Sequence, residues 1–95
     1  MDDDARRRRI RSVFDSAAAL VRAGTWDVDL DGETVVVSSG DQHGIRLEFM
    51  VGADDGIRAR VGARWISVCN LNEAGGDRHV ASAMRNEIAR HNNSD

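Results

Sequence analysis

Four sets of residues in this 95-residue chain have types and spacings that chemistry could use. The first is Asp27-Val28-Asp29-Leu30-Asp31-Gly32, which opens like a calcium-binding EF-hand loop. That loop needs a bidentate Glu at its twelfth position, and here the twelfth residue is Ser38. Strict alternation of aspartate with Trp26, Val28 and Leu30 accounts for all three carboxylates as the solvent side of a strand. The second set is Cys69 with His43, His79 and His91, the parts of a nucleophile–base pair or a metal site. Their spacing matches neither, and histidines in loops or at helix ends commonly just face water. Neither a catalytic constellation nor a cofactor or metal motif is present, so a non-enzymatic protein without a cofactor is expected.

The third set is Arg6-Arg7-Arg8-Arg9 with Arg11, a stretch suited to nucleic acid or an anionic surface. Asp2, Asp3 and Asp4 precede it, and pairs such as Asp2 with Arg6 and Asp4 with Arg8 would neutralise part of it on one helix. A solvated helix face is the favoured reading. The fourth set lies where the strand pattern below puts it. Arg46, Glu48 and Met50 share one outward sheet face with Arg58, Arg60, Trp65, Ser67 and Cys69. Trp65 is expected directly across from Arg60, within reach of cation–π stacking. Trp and Arg dominate interface hot spots. An apolar patch of Trp65, Met50 and Val36 rimmed by charge marks a binding surface.

Composition narrows the classes. The length suits one domain spanning residues 1–95, with little room for a deep cofactor cavity. Aromatic residues make up only 4%, so Val, Ile, Leu and Ala must build the core. The net charge of −3 opposes a dedicated nucleic-acid binder. All 13 basic residues are Arg, which reads as a base-composition bias of the genome. One Cys allows no internal disulfide and suits a reducing compartment. A charged N-terminus and the lack of a long apolar run predict a cytoplasmic protein of a bacterium or bacteriophage, with no membrane partner.

These sets need elements to hold them. Ile10, Val13, Phe14, Ala17, Leu20 and Val21 recur at helical spacing, predicting a helix over residues 3 to 23 that stops at Gly24 after Arg22. Trp26, Val28 and Leu30 make a strand. Asp31-Gly32 turns the chain, and Thr34 to Ser38 returns beside it, pairing Leu30 with Glu33, Val28 with Val35 and Trp26 with Val37. Gly40 to Gly44 is a loop. Ile45, Leu47, Phe49 and Val51 alternate with Arg46, Glu48 and Met50 in a third strand. After a loop over Gly52–Gly56 comes a fourth, with Ile57, Ala59 and Val61 inward. Gly62-Ala63 is a tight turn, pairing Val61 with Arg64, Arg60 with Trp65, Ala59 with Ile66 and Ile57 with Val68. That sends Ile66 and Val68 to the core and Trp65, Ser67 and Cys69 outward. Asp77 is the expected N-cap of a second helix reaching about His91, with Val80, Ala81, Met84 and Ile88 as its apolar stripe. Asn92 to Asp95 should fray.

The predicted fold is a two-layer α+β arrangement in the order α-β-β-β-β-β-α. It is a five-stranded antiparallel meander with the N-terminal and C-terminal helices packed on one face. The order helix, strands, helix resembles the double-stranded RNA-binding domain. That family has three strands and a Lys-rich start to its second helix; here Gly76-Asp77-Arg78-His79 holds one Arg and no Lys, so membership is not assigned. In size and charge the chain is similar in type to bacteriophage inhibitors of host defence and to toxin-immunity proteins. The function expected is therefore protein interaction. The uncovered face, or an edge strand, docks on a partner protein with an acidic surface, with Trp65, Arg60, Arg58, Arg46, Met50 and Glu48 as the binding residues. A homodimer through the same face is a variant of this. The alternative is RNA or single-stranded nucleic acid on the same Arg and Trp face.

Overall fold

Apolar residues recur at period 3.6 near the two ends of the chain and at period 2 between them, and the elements follow that pattern. The computed structural model describes the backbone of residues 2–21, 25–39 and 44–93, and the side chains of 4–21, 25–39 and 44–91. Helix α1 spans Asp2–Val21. Strands β1 to β5 span Asp27–Asp31, Thr34–Ser39, Ile45–Val51, Gly56–Val61 and Arg64–Asn70, and helix α2 spans Gly76–Asn93. The strands pair antiparallel in chain order, β1-β2-β3-β4-β5. The result is the expected two-layer α+β fold, with both helices packed over one sheet face. The expected helix stop at Arg22 and Gly24, the loop residues 40–43 and the terminal residues 94–95 lie outside the described residues.

The core sits between the layers. Val35, Val37, Leu47, Phe49, Val51, Ile57 and Ala59 rise from the sheet, and all are buried. Ile10, Phe14 and Ala17 descend from α1, and Val80, Ala81 and Met84 from α2. Phe14 meets Phe49 edge-on, with ring centroids 5.0 Å apart and planes at 63°, a geometry that the ring quadrupoles favour. One member of the predicted α1 stripe is replaced. Leu20 is exposed and Ala18 is buried instead. Helix α1 packs on α2 as well as on the sheet, which turns its inner face toward the small side chains Ala17 and Ala18.

The first hairpin corrects the expected register. Leu30 pairs with Val35 and Val28 with Val37, and Asp31 with Thr34 closes the loop. The loop is therefore Gly32-Glu33, not Asp31-Gly32. Gly32 has φ 62°, a left-handed conformation that only glycine adopts freely, and it takes the first central position of the turn. The correction moves each partner by two residues, so every side chain keeps its predicted face.

The last hairpin starts as expected, with Val61 opposite Arg64, Arg60 opposite Trp65 and Ala59 opposite Ile66. A bulge then intervenes, and Ile57 pairs with Cys69, not Val68. The extra residue reverses the alternation beyond it. Cys69 consequently packs against the core, half-buried, where an outward position was expected. Ile66 needs a second correction. It stands on the core side opposite Ala59, yet it is 48% exposed. Strand β5 is an edge strand, and α2 leaves an open groove of about 360 Å³ over it, lined by Ile66, Val68, Ala83 and Asn86 among others.

Two helix-end expectations also change. Asp77 is not the cap of α2. The carbonyl of Gly75 accepts from the N–H groups of Arg78 and His79 and opens the helix. Asp77 sits in the first turn, accepting from the Ser16 hydroxyl at 2.7 Å and from the Arg78 N–H at 2.9 Å. It thereby ties α2 to α1. In α1, no Asp4–Arg8 pair forms among the described residues, and the side chain of Asp2 lies outside them. Arg6 instead reaches the β3–β4 loop, with Nε 3.0 Å from Asp55 Oδ1 and Nη2 2.6 Å from the Gly52 carbonyl. Arg11 donates to the Val28 carbonyl at 3.0 Å. Part of the basic run thus fastens α1 to the sheet.

Candidate functional site

The sheet face opposite the helices is built by alternation alone. Cross-strand pairing aligns it in rows. Asp31, Thr34, Met50, Arg58 and Ser67 are successive partners across all five strands. Beside them run Asp29, Val36 and Glu48 on β1 to β3, with Arg60 and Trp65 paired on β4 and β5. The third row is Asp27, Ser38 and Arg46. All six residues expected to bind a partner therefore lie on one surface. Trp65 is 40% exposed, and among the described residues it is one of three exposed large apolar side chains, with Leu20 and Ile66. Arg46 and Arg60 are exposed, while Met50, Glu48 and Arg58 are half-buried.

Electrostatics organise this surface. Arg60 Nη1 lies 2.9 Å from Glu48 Oε2, and its Nε donates to the Gly62 carbonyl at 3.2 Å. The guanidinium is thus held by those two acceptors. The indole is left open to solvent. Arg58 stands 3.7 Å from Asp54, whose own carboxyl is held below the usual carboxylate range, chiefly by accepting the Gly56 N–H at 3.0 Å. Among the described residues Arg46 makes no ion pair, and neither do Asp27, Asp29 and Asp31. The face is therefore polarised. Three aspartates stand on β1, and three arginines against one glutamate stand on β3 and β4. Between β1 and β4 lie three strand spacings, about 14 Å.

One feature of the face is not legible in the strand pattern. Strands β3 and β4 pair only where Phe49 to Val51 meet Ala59 to Ile57. Beyond that the ladder opens into a polar cleft of about 240 Å³. Arg46, Glu48, Arg60 and Gly62 line it, with Glu87 and His91 of α2. The alternation in Ile45–Val51 and Gly56–Val61 continues through the opening, so periodicity alone gives no sign of it.

The remaining candidates are not brought together. His79 Nε2 lies 3.1 Å from Glu73, while His91 stands at the other end of α2; His43 lies outside the described residues. The Cys69 thiol donates weakly to the Gly76 carbonyl at 3.7 Å. Burial, followed by the nearby Glu73, pushes its pKa up, which disfavours the nucleophilic thiolate. Asp27, Asp29 and Asp31 point outward along β1 and form no ligand cage. Among the described residues no group of three or more His, Cys, Asp and Glu side chains is arranged to hold a metal. No helix among them is long and apolar enough to cross a membrane. Comparisons with protein-family models, with curated proteins and with solved structures return no match.

Proposed function

We propose that this chain is a small non-enzymatic interaction module that binds and occludes a partner protein through its uncovered sheet face. The reading is carried by Trp65, a large apolar ring 40% exposed beside an arginine strip on a surface that neither helix covers. A ring of this kind supplies contact area at small entropic cost, and the flanking Arg60, Arg58 and Arg46 supply charge complementarity to an acidic surface. Met50 and the aliphatic part of Glu48 extend the apolar centre. The inhibitors and immunity proteins that work this way need a shaped surface and no active site. Nucleic acid is the weaker reading, because Asp27, Asp29 and Asp31 on the same face oppose a phosphate backbone.

The test is capture of a partner by tagged, nuclease-treated protein from host lysate, identified by mass spectrometry, with Trp65→Ala in parallel. One stoichiometric protein, lost at least tenfold in the variant while its circular dichroism is unchanged, is the expected result. Unfolding of Trp65→Ala would move Trp65 into the structural core and end its assignment to the site.

A further inference from the structure

We propose that the occupant of this face is a second copy of the chain, stacked sheet against sheet about a two-fold axis parallel to the strands. The inference deepens the interaction reading above and rests on it. An arginine strip calls for an acidic surface, and this chain carries that surface itself, on β1 of the same sheet face.

The two charged columns cannot satisfy each other within one chain. The aspartates of β1 stand about 14 Å from Arg58 and Arg60 on β4 and about 10 Å from Arg46 on β3, more than the ~8 Å screening length at physiological ionic strength. Each is therefore presented to solvent as a separate strip. A two-fold axis between β2 and β3 places β1 of one copy over β4 of the other and β2 over β3, with sheets ~10 Å apart. Such an axis preserves position along the strands, so the cross-strand rows decide which residues meet. Asp31 and Arg58 share one row, with Met50 between them, and therefore oppose each other across the interface. Asp29 opposes Arg60, because the Glu48–Arg60 ion pair ties that row together. Arg46, paired with Ser38, lands beside Asp27 of the copy. Each of the three aspartates thus opposes or adjoins an arginine, to within the ~30° by which aligned sheets cross. The interface is isologous, and every contact occurs twice. Trp65 falls just past the copy's β1 and covers that strand's open edge. The helices remain on the outside, giving four layers, helix, sheet, sheet, helix. The face is smaller than the roughly 20–30 residues a side of a standard interface, so a concentration-dependent dimer is expected.

The experiment is sedimentation velocity of the full chain from about 1 μM to 1 mM, at low and high salt, with two charge-reversed variants. The triple Asp27→Arg, Asp29→Arg, Asp31→Arg makes the face wholly basic. The triple Arg46→Asp, Arg58→Asp, Arg60→Asp makes it acidic. The wild type is expected to move from the 10.4 kDa chain to twice that mass, with association weakened on the order of tenfold in high salt. Each variant, folded by circular dichroism, should stay monomeric alone, and a mixture of the two should restore a one-to-one dimer. That rescue is a gain of function that misfolding cannot imitate. A wild type monomeric throughout overturns the proposal, as does a dimer that both charge reversals leave intact. In the second case Ser67→Pro, which blocks the β5 edge, would trace the contact to edge pairing. A monomer that still captures a Trp65-dependent partner would overturn the second copy while leaving the interaction module standing.

Discussion

At the residue scale, single side chains on this protein hold charges where geometry needs them. Asp77 shows it most directly. Its carboxyl is held below the usual carboxylate range, first by the Ser16 hydroxyl and then by the Arg78 N–H. A carboxylate whose folded pKa is depressed contributes stability above its unfolded pKa and loses that contribution as pH falls through the folded value. The wild type should therefore be more stable than Ser16→Ala at neutral pH in urea titrations. The two curves should converge only as pH falls below the usual aspartate range and through the depressed folded value, where the carboxylate becomes protonated in both states. A gap that persists in acid would show that Ser16 acts through packing and not through Asp77. Trp65 illustrates the opposite case. Its backbone register follows from the Gly62-Ala63 turn, and its exposure follows from its place on the edge strand, on the sheet face away from the helices.

At the element scale, stability depends on how α1 is fastened to the sheet. The Phe14–Phe49 contact forms the centre of that joint, with both rings at most 1% exposed. Phe14→Ala removes a buried ring and leaves a cavity, which costs about 3–5 kcal/mol. In a domain of this size that is a large share of the total. Chemical denaturation should show a sharply lowered midpoint with an unchanged slope. A loss under about 1 kcal/mol would mean that α1 adds little to the fold. Arg6 makes the peripheral half of the same joint, through Asp55 and the Gly52 carbonyl. An i,i+4 rule could not have foreseen this bond, since its partners lie 49 and 46 residues away in sequence. The helical stripe was legible at Ile10, Phe14 and Ala17, because burial at those spacings holds for any helix on any surface. Leu20 and Ala18 exchanged roles because a second helix packs beside α1, and one helix's periodicity carries no record of its neighbour.

At the scale of the whole molecule, the buried cluster draws on both helices and on β2, β3 and β4. Such a shared core predicts one cooperative unfolding transition, with far-ultraviolet circular dichroism and tryptophan fluorescence changing together. Separate transitions would show that the end elements melt independently. By itself, the sequence determined the element order, the meander and the face on which nearly every strand residue lies. These are local consequences of period-2 and period-3.6 spacing and of glycines at tight turns. The fine pairing was decided elsewhere. A β-bulge in the β4–β5 ladder reversed Cys69, and an edge strand that α2 only partly covers left Ile66 in the open. The charge pattern of the face also needed the folded sheet. Asp27, Asp29 and Asp31 look like a strand's solvent side when read alone. The meander sets them at one side of a surface whose other side is arginine and Trp65, but which charges on it are paired, Arg60 with Glu48 and Arg58 with Asp54, depends on side-chain geometry that only the tertiary structure decides.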